Sequence, residues 1–92
     1  MIVNTMIDRE TLKIELKKLI VVECDKDIAP ETITDDAILI GGDLELDSLD
    51  ALQIAMAIKT QYSVRIEDGP SARRAMQSIN TLADTILNYQ PD

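Results

Sequence analysis

The sequence predicts an all-α fold, a small four-helix bundle of three longer helices and one short one, with a long ordered loop between helices 1 and 2. Three observations predict it. Apolar residues recur at helical spacing from Leu12 to Ile20 and again from Leu49 to Tyr62. Helix-start signals stand at Asp8, at Asp47-Ser48, at Pro70 and at Thr81. The hydrophobic fraction is 46% with only 2% aromatic, so Leu, Ile, Val, Ala and Met must fill the core, a mixture suited to packed helices. The 92 residues suffice for one modest core and are too few for two, so 1–92 reads as a single domain.

The first helix is expected from Arg9 to about Val22. Asp8 is a good N-cap, and Ile7 with Leu12 forms a hydrophobic staple across the helix start. Leu12, Leu16, Leu19 and Ile20 share one face, Lys13, Lys17 and Lys18 fall mostly off it, and the last lysines suit the negative helix end. The next stretch, punctuated by Pro30, Gly41 and Gly42, reads as a loop pinned by Ile28, Ile33, Ile38, Leu39, Ile40, Leu44 and Leu46. The second helix opens at Asp47 or Ser48 and runs to about Tyr62. Its two apolar rows, Leu49-Leu52-Met56 and Ala51-Ile54-Ile58-Tyr62, imply burial against more than one neighbour. Val64 and Ile66 alternate with polar residues in an extended connector. Pro70 fits the first position of a short third helix to about Met76. Thr81 with Asp84 makes a capping box for the last helix, whose Leu82, Ile86 and Tyr89 point inward.

Charge is distributed unevenly. Between Glu23 and Asp50 stand ten acids and one base, so that segment carries −9 of a total of −8 and the remainder sums to +1. An acidic chain without Phe or Trp repels phosphate backbones and has no stacking anchors, which argues against nucleic-acid binding. No histidine is present, which removes the usual partner of a catalytic serine or cysteine, so a non-catalytic protein is expected. Cys24 is the single cysteine, so neither an internal disulfide nor an ordinary zinc site forms from it. Asp25-Lys26-Asp27 begins like a calcium loop, but Ala29, Pro30 and Asp36 occupy its key positions, so no metal site is expected. No segment has the pattern of a secretory signal or a membrane span, and a cytoplasmic location without membrane insertion is the expectation.

The most informative feature is Gly41-Gly42-Asp43-Leu44-Glu45-Leu46-Asp47-Ser48-Leu49-Asp50, which sets a serine among carboxylates at a helix start. Free backbone N–H groups and the positive end of the helix dipole favour a covalently attached anion such as a phosphodiester there. Ser48 therefore reads as a modification site, although Asp47 and Ser48 also suit simple capping.

Asp47-Ser48-Leu49-Asp50, the following Ala51 to Ile58, Tyr62-Ser63-Val64-Arg65-Ile66 and Ile79 to Ile86 together resemble the acyl carrier protein family, over about Asp8 to Tyr89. The resemblance implies a four-helix bundle in which Ser48, within the Asp47-Ser48-Leu49 motif, bears a 4'-phosphopantetheine arm taken from coenzyme A. The arm's thiol would carry acyl groups as thioesters. It also implies an acyl-chain cavity lined by Leu52, Ile54, Ile58 and Ile66, residues that equally provide ordinary core packing. The acids flanking the serine, Asp43, Glu45, Asp47 and Asp50, become a docking patch for basic partner enzymes, with solvation as the simpler reading. The implied partners of this monomeric carrier are a phosphopantetheinyl transferase and an acyl-activating ligase, synthase or acyltransferase.

Typical fatty-acid carriers are rich in glutamate along the second helix, whereas this chain has Gln53, Lys59, Thr60 and Gln61, and Arg73-Arg74 add positive charge further on. These departures favour a dedicated carrier over one serving general fatty-acid synthesis. A peptidyl or aminoacyl carrier and a small helical interaction module without a prosthetic group are the alternatives.

Overall fold

The computed structural model describes residues 8–42, 44–66 and 70–89. It contains four α-helices, α1 (Arg9–Glu23), α2 (Ser48–Tyr62), α3 (Pro70–Ala75) and α4 (Ile79–Leu87), and no strand among the described residues. The α1–α2 connection holds one short 3-10 turn, Pro30–Thr32, and an isolated parallel bridge between Ile40 and Leu46.

Helix α1 starts where Asp8 stops it from extending backward: the Asp8 carboxylate accepts the Thr11 N–H at 3.3 Å and its carbonyl accepts the Leu12 N–H at 2.8 Å. The staple expected from Ile7 lies outside the described residues. The helix ends in a Schellman closure: Lys26 N donates to Val21 O at 3.0 Å and Asp25 N to Val22 O at 3.3 Å, with Asp25 left-handed at φ 52°. Leu12, Leu16, Leu19 and Ile20 are buried as their spacing predicts. Lys13 is not off the stripe, because its ammonium pairs with Asp35 and Glu10 and its stem is drawn inward to 8% exposure. The last turn of α1 holds no base, so the lysines do not serve its C-terminal end.

Helix α2 has the boundaries its pattern predicts, but only one of its two apolar rows is buried. Ile54 and Ile58 are fully buried and Tyr62 nearly so, whereas Leu49, Leu52 and Met56 stand 72%, 53% and 57% exposed. The reason is the neighbour count: among the helices α2 makes its main contact with α1, so one face is covered and the opposite row meets solvent. The Tyr62 hydroxyl donates to Glu15 at 2.8 Å, tying the end of α2 to α1. Ser63 ends the helix in the left-handed region at φ 59°.

Helix α4 begins three residues earlier than a cap at Thr81 predicts. Ser78 is the N-cap, accepting the Thr81 N–H, while the Thr81 hydroxyl accepts the Ser78 N–H at 2.9 Å; Thr81 is thus the reciprocal member of the box, not its cap. This helix makes the most extensive contact with α1. Leu82 and Ile86 are buried and Tyr89 is half-buried.

The core is built from Leu12, Leu16 and Ile20 of α1, Ile54 and Ile58 of α2, and Ile79, Leu82 and Ile86 of α4, closed by Leu39 and Val64 from the connections. Each such side chain contributes about 1.5–3 kcal/mol on leaving water. From the α1–α2 connection Ile33, Leu39 and Leu46 reach this core, but Ile28 and Ile38 do not, standing 39% and 65% exposed. Among the described residues no helix is long and apolar enough to cross a membrane.

Candidate functional site

The site is assembled by the last loop residues and the first turn of α2. Leu46 is buried and fixes the chain just ahead of the helix; Gly41 N donates to Leu46 O at 3.1 Å to hold it there. Gly42 sits so close to the chain of Ile38 that a Cβ would collide with the Ile38 carbonyl oxygen, so this turn needs glycine. Asp47 follows in extended conformation as the N-cap of α2. Its Oδ1 accepts the N–H of Leu49 at 3.0 Å and of Asp50 at 3.1 Å, and Asp50 Oδ2 accepts the Asp47 N–H at 3.0 Å.

This capping box leaves Ser48 spare. It occupies the first helical position, is exposed, and among the described residues its hydroxyl has no hydrogen-bond partner. Asp47 does the capping and Ser48 does not. The same box changes the electrostatics expected from sequence, because Asp47 already occupies two of the donors that an anion on Ser48 would otherwise meet. An anion attached there keeps the helix dipole but faces two carboxylates.

Of the residues grouped with Ser48 in the sequence, Glu45 and Asp47 are exposed and Asp50 is half-buried, all close along the chain to the hydroxyl. Glu45 takes the left-handed conformation, φ 58°, its N–H donating to Gly42 O at 2.9 Å. Asp43 lies outside the described residues. Leu49 projects into solvent beside Ser48 and begins the exposed row that continues through Leu52 and Met56. Sequence periodicity missed this surface because both rows of α2 are apolar; the signal available was that residues 51–62 contain no acid.

Ile54, Ile58 and Ile66 do not form one group with Leu52. Ile54 and Ile58 are buried, Ile66 is half-buried, and Leu52 lies on the opposite side of α2 from the two buried isoleucines. An open cavity of about 320 Å³ lies elsewhere, within the α1–α2 connection, lined by Thr32, Ile33, Thr34, Ala37, Ile38, Gly42 and Leu44.

Cys24, half-buried at the end of α1, lies against the first turn of α2. Burial first, and then the Asp50 carboxylate, push its thiol up to about 11, which keeps it protonated and poorly nucleophilic at neutral pH. Among the described residues no group of three His, Cys, Asp or Glu side chains is arranged to hold a metal ion. In comparisons with known proteins, no family model matches the chain and no curated protein matches it.

Proposed function

We propose that this protein is an acyl carrier: a monomeric, cytoplasmic four-helix bundle with an ordered α1–α2 loop, bearing 4'-phosphopantetheine on Ser48 and performing no catalysis itself. The observation that carries the proposal is the exposed, unpartnered hydroxyl at the first position of α2, released from capping by Asp47. When bound, the group supplies a thiol that holds acyl cargo as a thioester. The chain's own part is presentation: Asp47 fixes the helix start, Leu46 anchors the approach to it, and Ser48 faces outward where a transferase reaches it. The residues fit a covalently tethered group better than a gripped one, since the Leu49 and Asp50 N–H groups are taken and the nearby side chains are anionic.

Docking is assigned to two kinds of contact. Asp43, Glu45, Asp47 and Asp50 steer basic partner surfaces, an effect that weakens with salt. Leu49, Leu52 and Met56 supply the apolar area that a partner buries. The partners are a phosphopantetheinyl transferase and then an acyl-activating ligase, synthase or acyltransferase of a dedicated system. Ile54, Ile58 and Ile66 remain the residues for sheltering an acyl chain, and Leu52 moves to the docking surface.

Incubation with coenzyme A, magnesium and a broad-specificity phosphopantetheinyl transferase, followed by intact-mass measurement, tests this reading. The expected result is a gain of one arm by the wild type and none by Ser48→Ala. No gain by the wild type, or an equal gain by the variant, overturns it. The exposed apolar row favours one second reading, a helical interaction module without a prosthetic group, for which Ser48→Ala leaves partner binding intact.

A further inference from the structure

The α1–α2 connection carries most of the chain's net negative charge, yet among its described acids only Asp35 forms an ion pair. Its carboxylate is shared by two lysines of α1, Lys13 at 2.9 Å and Lys17 at 2.8 Å, whose side chains are only 10% and 17% exposed. The same residue's carbonyl accepts the N–H of Asn80, 3.0 Å away in the first turn of α4. Four residues on, Leu39 N donates to Gln77 O at 3.0 Å, just ahead of α4. The connection is therefore fastened to both α1 and α4 within five residues. Its outer part is hollow, with the 320 Å³ cavity between residues 32–38 on one side and Gly42 and Leu44 on the other, and Ile38 faces solvent. Left-handed residues bracket the segment, Asp25 at φ 52° on one side and Gly41 at φ 79° on the other.

We infer that residues 29–40 form a strap that opens as a unit between turns at Asp25 and Gly41, and that the Lys13–Asp35–Lys17 bridge is its latch. Its 3-10 turn packs on α1, but within residues 29–40 the backbone bonds are few, from Thr32 N to Ala29 O, Ile33 N to Pro30 O and Ala37 N to Thr34 O, and a segment so little bonded within itself opens at lower free energy than the helices it covers. Opening lifts Ile33 and Leu39 from their core seats, while the capping box of α2, beyond Gly41, stays closed. The latch is electrostatic, so charge removal on either side of it releases the strap. This inference stands whether or not Ser48 carries a group.

Native-state hydrogen exchange reads the strap through the Asn80 and Leu39 amides, which donate to Asp35 O and Gln77 O, and the body through the Ile58 amide inside α2. In Asp35→Asn, Asn80 and Leu39 are expected to exchange at least tenfold faster with Ile58 unchanged. The double variant Lys13→Met/Lys17→Met, which keeps the apolar stems, gives the same pattern and decides the matter if Asp35→Asn does not fold. Asp84→Asn, which removes the Arg9 pair between α1 and α4, leaves the strap amides unaffected. Acceleration of all three amides by one common factor, no acceleration of Asn80 and Leu39, or equal release by Asp84→Asn overturns the inference.

Discussion

Replacing Asp47 separates the two tasks assigned to it. In Asp47→Ala the N–H groups of Leu49 and Asp50 lose their acceptor while the Asp50 carboxylate keeps its bond from the Asp47 N–H, so half of the box survives. Loss of an N-cap side chain costs about 1–2 kcal/mol, against a total stability of roughly 5–14 kcal/mol for a chain of this length. With a urea dependence of about 1–2 kcal/mol per molar, the unfolding midpoint should fall by about 1 M. Asp47→Asn retains a capping oxygen and should lose no more than a few tenths of a kcal/mol. If the Asp47 charge also steers partners, loading of Ser48 by a transferase slows in Asp47→Asn at low salt without loss of stability, and the difference from wild type shrinks as salt rises. Urea unfolding followed by circular dichroism, with loading rates by mass spectrometry, measures both. An unchanged midpoint in Asp47→Ala would refute the capping argument, and equal midpoint losses in both variants would show that charge, not the acceptor geometry, stabilises the helix start.

Three further outcomes are expected. Leu49→Ser and Met56→Ser should change stability by no more than about 0.5 kcal/mol because both side chains are exposed, whereas Ile58→Ala should cost about 2–5 kcal/mol; denaturant titration of the three compares them. Ser63→Gly should raise stability by up to about 1 kcal/mol, since the left-handed conformation at φ 59° disfavours a residue with a Cβ, and a thermal melt reads the gain. Hydrogen bonds from Lys17 and then Lys13 hold the Asp35 carboxyl below its ordinary value of 3.8. Its contribution is complete above that unfolded value and is lost as pH falls through the lower folded one, so the denaturant midpoint of the wild type should drop more steeply below pH 3.8 than that of Asp35→Asn.

Helix existence was legible wherever a cap and a single apolar stripe agreed. Asp8 with Leu12, Leu16 and Ile20 marked α1, and Asp47-Ser48 marked the start of α2 to within one residue. The start of α4 was legible only to within a turn, because Ser78 and Thr81 are both good caps and the choice between them rests on which backbone N–H each side chain meets. Burial on α2 was not legible: with apolar residues on both rows, periodicity says that a helix is amphipathic or buried and does not say which row has a neighbour. Lys13 was misplaced for a related reason. Its spacing puts it beside the stripe, and only the distant Asp35 draws it in. At the candidate site, the division of labour between Asp47 and Ser48 followed from cap chemistry, but the consumption of the Leu49 and Asp50 N–H groups by Asp47 did not, since it depends on a rotamer.

A pocket evolved to grip a free anion at a helix start leaves the first N–H groups open and supplies cations. Here the cap fills two of those donors and the adjacent side chains are carboxylates. Such a surface disfavours a diffusible phosphate and tolerates one only if a covalent bond holds it. For a tether that must leave its own scaffold and enter other proteins, weak local attraction is an advantage, because any grip on the arm's phosphate would have to be broken at each visit. The exposed row adjoins the hydroxyl along α2. Leu49 is the residue after Ser48, so under the proposed function a partner that covered the row through Met56 would bring its own surface against Ser48, and its affinity would be set by apolar area and by steering rather than by contacts to a group on that hydroxyl.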